Sequence, residues 1–330
     1  QKRKIEKLVR IKKVNRLQCL IISSSIDYST DLVCIQLEKQ HVPYLRINRD
    51  QFEKFQIRLD INKCVLEIEI NYKVYTFKNN TENSIYFRAP TFLRTLNKKY
   101  SLDEQVYKSQ WNAFIRNLII FDNVKWINNP VNTYRAENKM FQLSKAMEMG
   151  LLIPDTKVVN CVKNIKPEKE YVIKSIDTAL FNENDVEMFV YSNVLSGKKI
   201  QESELALAPV FIQEYLNKKT DIRVTYIAGK TYPVKILADG NRIECDWRRK
   251  KKDSLSYVEC EIPEDVNRKI IKLMNYFKLE FGGIDLIERN GIYYFLEVNP
   301  TGEWGWIQSN TKVAIDQEIV QALMRGKSEK

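Results

Sequence analysis

A single histidine, His41, stands among 330 residues, and that scarcity excludes much. A His-based nucleophilic triad and a multi-histidine metal site both fall away for want of ligands. The six cysteines (Cys19, Cys34, Cys64, Cys161, Cys245 and Cys260) are scattered without a C-x-x-C pair. That suits reduced, structural thiols in a cytoplasmic protein. No run approaches the roughly eighteen consecutive apolar residues of a membrane span. The first 16 residues are basic but lack the apolar stretch of a signal peptide. The chain begins at Gln1, not Met, which leaves open whether the numbering starts at the native N-terminus. There is no Walker A sequence, no dinucleotide glycine fingerprint and no kinase H-R-D.

What is present is a chain long enough for two or three modest domains, with 44% apolar residues to build their cores. The net charge of +11 is concentrated at one end. Residues 1–16, QKRKIEKLVRIKKVNR, hold eight Lys/Arg and one Glu, and the remaining 314 residues carry 45 basic and 41 acidic groups. The globule is thus nearly balanced behind a basic arm. Such an arm suits an acidic peptide, nucleic acid or anionic lipid; the plainer reading is a solvated charge run.

Along the chain, LQCLIISSS (17–25) reads as a strand and 29–40 as a helix with Ser29 or Thr30 as N-cap. VPYLRIN (42–48) is a second strand, so an α/β start is expected. Residues 63–78 alternate as two strands turning near Asn71, and 101–121 has helical period. NNPVN (128–132) reads as a linker. An amphipathic helix is expected over 133–150, closed by Gly150 with Pro154 beyond. Strands follow at 170–176 and 208–216, with two more in 221–240 around Gly229, and a helix at 263–277. Segment 185–196 is ambiguous.

The hairpin GGIDLIERNGIYYFLEVNPTG (282–302) poses a problem of parity. A two-residue Asn290-Gly291 loop would put Asp285 on one face with Tyr294, Leu296 and Val298, a costly place for a carboxylate. A three-residue loop, Arg289-Asn290-Gly291 with Gly291 left-handed, puts Asp285 with Glu297 and Asn299 and leaves Ile284, Leu286, Leu296 and Val298 on the core face. The second register segregates polar from apolar and is preferred. It gathers three hard oxygen donors, as magnesium on a phosphate substrate requires; the alternative is a solvent-facing strand face. Lys174, on the face of Val172 and Ile176, either snorkels or meets a buried anion. Lys139 fits a solvated helix face. Glu214-Tyr215-Leu216 ends a strand, as a hinge offering backbone groups to an adenine edge would. Asp221 and Arg223 share a strand face. Arg248 lies in DWRRKKKD (246–253), either a solvated loop or a cap over triphosphate and acidic substrate.

The ordered set Lys139, VIKS, IQEYL, DIR, GGIDLI and FLEVNPTG resembles the ATP-grasp ligases. The ENKMFQLSKAMEMGLLIPDT stretch, the DWR triplet and the EVNPTGEWGW ending are similar to the peptide-maturing branch that makes graspetides, the microviridin-type and grasp-with-spasm ligases. LIISSSIDYSTDLV, LRIN and SIYFRAP share that likeness, which spans residues 17–310. It implies an α/β (α+β) ATP-grasp fold. Its parts would be a basic arm (1–16), an N-terminal α/β domain (17–128), a central domain (129–213) and a C-terminal ATP-binding domain with an antiparallel sheet (214–330).

By position, the resemblance makes Asp285, Glu297 and Asn299 magnesium ligands and Lys139 and Lys174 phosphate lysines. Glu214, Tyr215 and Leu216 become the adenine hinge, Asp221 a ribose contact, and Gln213 and Leu286 further nucleotide contacts. Arg223 and Arg248 fall near the transferred phosphate and acyl group. Two features depart from the family. The segment 175–187 lacks the glycines that often cover the phosphates, and Glu303 stands where microviridin-type ligases tend to have Gln.

The reaction so implied uses ATP and magnesium to phosphorylate an Asp/Glu side chain of a ribosomal precursor peptide. A Ser/Thr hydroxyl or Lys amine then closes an ester or amide ring. The expected partner is a peptide with a leader held by the N-terminal or central domain and an acidic core drawn to the basic 247–252 loop. The expected enzyme is a homodimer needing no nucleic acid. Two alternatives stand beside it: an ATP-grasp ligase making intermolecular amides, and a non-catalytic nucleic-acid or membrane-surface binder using the basic arm.

Overall fold

In the computed structural model, residues 14–88, 100–176, 180–183, 186–189, 192–203, 208–243 and 246–326 are described, with backbone only at 180–183, 186–189, 248 and 252. The basic arm through residue 13, part of the 175–187 segment, Cys245 and the end of SIYFRAP lie outside them. The chain divides into two compact units, one within Gln1–Val131 and Ala314–Lys330, the other Asn132–Val313. None of the described helices is long and apolar enough to cross a membrane.

The first unit begins with β1 (Val14–Arg16), β2 (Cys19–Ser23), α1 (Tyr28–Lys39) and β3 (Tyr44–Asn48). It continues with β4 (Gln56–Asp60), β5 (Val65–Ile70), β6 (Lys73–Lys78), β7 (Ser84–Phe87), α2 (Leu102–Asn117) and β8 (Lys125–Ile127). Every residue of β2 is buried, as an inner parallel strand covered on both faces must be. The parallel sheet runs β3-β2-β7-β8, and a second sheet runs β1-β6-β5-β4. One core, including Leu20, Ile22, Ile68, Phe77 and Ile85, joins them.

The end of the basic arm is therefore structure: Val14 to Arg16 pair in parallel with Val74 to Thr76. The helix start is also corrected. Asp27, extended at φ −81° and ψ 94°, caps α1 by accepting from Thr30 N, while Ser29 and Thr30 are buried inside the helix. A Ser101–Glu104 capping box opens α2.

In the second unit the expected 133–150 helix breaks in two, α3 (Pro130–Ala136) and α4 (Lys139–Glu148), with Asn138 extended between them. Pro130, expected in a linker, begins α3, where its missing N–H costs nothing. Gly150 (φ +82°) ends the segment as expected. There follow β9 (Thr156–Val159), β10 (Glu170–Lys174), β11 (Leu180–Glu183), β12 (Val186–Phe189), β13 (Asn193–Ser196), α5 (Gly197–Gln201) and β14 (Val210–Glu214). Then come β15 (Thr220–Ile227), β16 (Lys230–Ala238), β17 (Leu255–Glu259), α6 (Glu264–Tyr276), β18 (Phe281–Arg289), β19 (Ile292–Asn299) and α7 (Gly305–Asn310). The ambiguous 185–196 stretch is thus two strands.

Two antiparallel sheets dominate, β13-β10-β14-β9 and β17-β16-β15-β18-β19. The larger is backed by α4 and α6; Ile270, Leu273 and Met274 of α6, with Phe277 at its C-cap, recur at helical spacing and pack on Val224, Ile284 and Phe295. The last helix, α8 (Ile315–Met324), packs on α1, β7 and β8 of the first unit.

Candidate nucleotide and metal site

The hairpin joining β18 to β19 decides where the carboxylates point. Arg289 pairs with Ile292, so the loop is only Asn290 and Gly291, at φ 54° and 79°. Two successive left-handed residues make the tight turn that fits twisted strands. The expected three-residue loop is therefore wrong, although Gly291 does take positive φ. In an unbroken ladder this turn would oppose Asp285 to Leu296. The register instead shifts between Asp285 and Leu286: Leu286 pairs with Phe295 and Asp285 with Glu297. Leu296 is the extra residue of a β-bulge, which moves everything after it to the other face. Asp285, Glu297 and Asn299 consequently share one face. Leu296, expected in the core, lines a cavity, and Phe295 is fully buried among the apolar side chains.

That cavity measures about 290 Å³. The three oxygen donors form part of its wall, together with Lys139, Lys174, Gln213, Glu214, Tyr215, Leu216, Asp221 and Leu286. Lys139 is not on a merely solvated face: its Nζ lies 3.4 Å from Glu297 Oε2. Lys174 Nζ donates to Gln213 Oε1 at 2.8 Å, and Gln213 Nε2 donates to Thr156 Oγ1 at 2.8 Å. At the hinge, Glu214 N–H donates to Asp155 O at 2.8 Å and Tyr215 N–H to Glu170 O at 3.4 Å. Buried Leu216 covers the wall beyond them.

Arg223 faces Asp285 across the β15–β18 ladder and donates to Oδ1 at 2.8 Å. Gly283 makes room for it, since a Cβ there would come within 2.9 Å of Nη1. The guanidinium also lies 6.0 Å from the Trp306 ring, and its buried Nε has no hydrogen-bond partner among the described residues. Arg248 falls in a single turn of helix, Trp247–Arg249, and its side chain lies outside the described residues.

The sequence reading missed Lys219, Asp246 and Trp247, which also line the cavity. Lys219 was findable. It stands two residues before Asp221 at a strand entry, a spacing that puts both on one face, and its Nζ meets Asp221 Oδ2 at 2.5 Å. Burial pushes the Asp221 carboxyl up, against the opposing pull of Lys219.

The donor set suits a hard divalent cation. Among the described residues no three Asp, Glu, His or Cys side chains form a metal cluster, so the third donor would be an amide. Asn299 Nδ2 stands 3.5 Å from Asp285 Oδ2 and 3.4 Å from Glu297 Oε1. The positive end of a dipole thus already sits between two carboxylates. Turning the amide over would present Oδ1 instead, and two carboxylates with an amide oxygen match what magnesium takes when a phosphate substrate completes its shell.

Comparison with known proteins gives a consistent frame. Tetrahydromethanopterin:alpha-L-glutamate ligase of Methanocaldococcus jannaschii is 25% identical over 288 residues, 81% of this chain and 94% of that protein. Among solved structures, the RiPP-associated ATP-grasp ligase of Chryseobacterium gregarium, in complex with ADP and a leader and core peptide, superposes with a TM-score of 0.78. Its identity is 24%, over 94% of this chain and 97% of that one. Macrocyclase MdnC of Microcystis aeruginosa, bound with precursor peptide MdnA, gives 0.77 at 22% identity, over 93% of this chain and 99% of that one. At such identities these two likenesses speak to the fold. The family model of the RimK-like ATP-grasp domain matches residues 145–323, a span that takes in Lys174, the hinge, the bulged hairpin and all three oxygen donors. The chain belongs to the RimK-like ATP-grasp family, a family of ATP-dependent ligases.

Proposed function

We propose that this protein is an ATP- and magnesium-dependent peptide macrocyclase. The observation that carries the reading is the convergence of two lysines, a hinge and an Asp–Glu–Asn triplet on one cavity. Lys139 and Lys174 would neutralise the triphosphate, and Leu216 would cover the base at the hinge, where Glu214 and Tyr215 N–H already have partners. Asp285, Glu297 and Asn299 would hold magnesium, whose positive charge would offset the charge that develops on the phosphates.

Arg223, with a buried Nε still to satisfy, stabilises charge where the terminal phosphoryl leaves ADP for a side-chain carboxylate of the bound peptide. A Ser/Thr hydroxyl or Lys amine of the same peptide then attacks the acyl carbon, losing its proton as the C–O bond to phosphate breaks. The products are an ester or amide ring, ADP and phosphate. No protein nucleophile is required, which agrees with one histidine and dispersed cysteines. The chemistry is positioning and charge stabilisation.

The peptide substrate is supported by the fold shared with two ligases whose structures hold precursor peptides. The five consecutive basic residues 248–252 complement an acidic core. A homodimer working in the cytoplasm completes the proposal, the dimer being open to sedimentation analysis. The decisive experiment incubates the protein with ATP, magnesium and a precursor peptide encoded beside its gene. Each ring should remove one water from the peptide and convert one ATP to ADP. ATP use without dehydration of any such peptide would overturn the macrocyclase reading. A second reading, an intermolecular amide ligase, is favoured by the likeness to a glutamate ligase along 94% of that protein. A product heavier by one amino-acid residue would establish it.

A further inference from the structure

One buried side chain stands behind the metal triplet without touching the cavity. Gln142 lies on α4, one turn after Lys139, and is only 2% exposed. β19 is the last strand of its sheet; among the described residues its outer side meets a single bridge, Leu152 with Tyr294, where Phe295 N–H donates to Leu152 O, and no strand runs beside Val298. Val298 pairs with Ile284, yet its N–H and C=O turn outward. Gln142 takes both: Oε1 accepts from Val298 N at 2.9 Å, and Nε2 donates to Val298 O at 2.8 Å as well as to Ala136 O. The amide thus stands in for a missing strand. Val298 is the residue between Glu297 and Asn299, and it comes two residues after the bulged Leu296, where the ladder has lost its regular register.

We propose that Gln142 is a positioning residue for the cation site. By gripping the peptide unit on both sides of Val298, it fixes the spacing and orientation of the Glu297 and Asn299 side chains where the bulge would otherwise let the strand drift. The inference rests on the reading that Asp285, Glu297 and Asn299 hold magnesium. Support of this kind sets metal affinity without contacting the metal. It also explains why α3 and α4 are separate helices: the break at Asn138 starts α4 so that Lys139 reaches Glu297 while Gln142, three residues on, reaches Val298.

The test separates metal binding from folding. ATP binding is measured by calorimetry across a magnesium titration and again in EDTA, for the parent, Gln142→Met, Gln142→Glu and Glu297→Gln. Gln142→Met removes both hydrogen bonds at similar volume; Gln142→Glu keeps the acceptor and loses the donor, and serves if the first variant does not fold. The magnesium concentration giving half-maximal binding should rise about tenfold in either variant, with affinity in EDTA unchanged. A lower melting temperature with an unchanged magnesium midpoint would overturn the inference, leaving Gln142 as a cover for the sheet edge. If Glu297→Gln also leaves the midpoint unchanged, the magnesium reading itself has failed. If Glu297→Gln raises it and the Gln142 variants do not, only the positioning role has failed.

Discussion

Each unit contains a buried arginine–aspartate pair, and the two pairs are built differently. In the first unit Arg88 Nε meets Asp27 Oδ2 at 3.2 Å, with side chains 2% and 8% exposed. The same carboxylate accepts from Ser23 Oγ, Thr30 N and Thr30 Oγ1. Its acceptor capacity is filled by the protein, and it caps α1 as well. In the second unit Arg223 meets Asp285 at 2.8 Å, with side chains 9% and 20% exposed. There the arginine keeps a buried Nε without a hydrogen-bond partner among the described residues, and the aspartate faces a cavity beside Glu297 and Asn299. A pair that satisfies itself is a lock; one whose aspartate lines a cavity beside Glu297 and Asn299 is arranged for something that arrives.

Substitutions should separate the two. Glu297→Gln, beside the open pair, should cut ATP turnover about a thousandfold while leaving the melting temperature unchanged, whereas Asp27→Asn should leave turnover per folded molecule intact. Equal losses would erase the distinction. Asp27→Ala should cost about 3 kcal/mol of stability, because it strips a helix cap and strands a buried guanidinium; urea unfolding measures this. Lys174→Ala should weaken ATP binding about tenfold or more by calorimetry, with melting of the ligand-free protein unchanged.

A smaller effect follows from pH. Burial works to raise the Asp27 carboxyl, but Arg88 and the Ser23 and Thr30 hydroxyls outweigh it and hold the group below the usual carboxylate range. Its contribution to stability is therefore present above that range and lost as pH falls through the depressed value. The urea midpoint of the parent should fall on acidification below about pH 4, and Asp27→Asn should flatten that fall. The smallest effect expected is at the hairpin tip. Gly291→Ala, at φ +79°, should cost about 1 kcal/mol and leave turnover unchanged, because the bulge rather than the turn sets the register at Glu297.

The sequence by itself determined a good deal. Alternation and period placed most strands and helices, since burial on one face leaves a local trace in the order of residues. The likeness in IQEYL, DIR, GGIDLI and FLEVNPTG pointed to ATP-grasp, and the family match agrees. Asp285, Glu297 and Asn299 were grouped on one face by segregation of polar from apolar, and the structure puts them there. The device was misread, because an unbroken ladder allows only loop length to change parity, and a bulge at Leu296 leaves no mark in the residue types around it.

Other features depended on contacts distant in sequence. Asp27 displaces Ser29 and Thr30 as the cap of α1 because its carboxylate also meets Arg88, 61 residues away. Gln142 reads as an ordinary residue on an amphipathic helix until it is seen holding Val298, 156 residues on. Lys139 read as solvated until Glu297 was found beside it. Residue type and spacing report which face a side chain is on; only the folded chain, which closes long loops against their entropy, reports what that face meets.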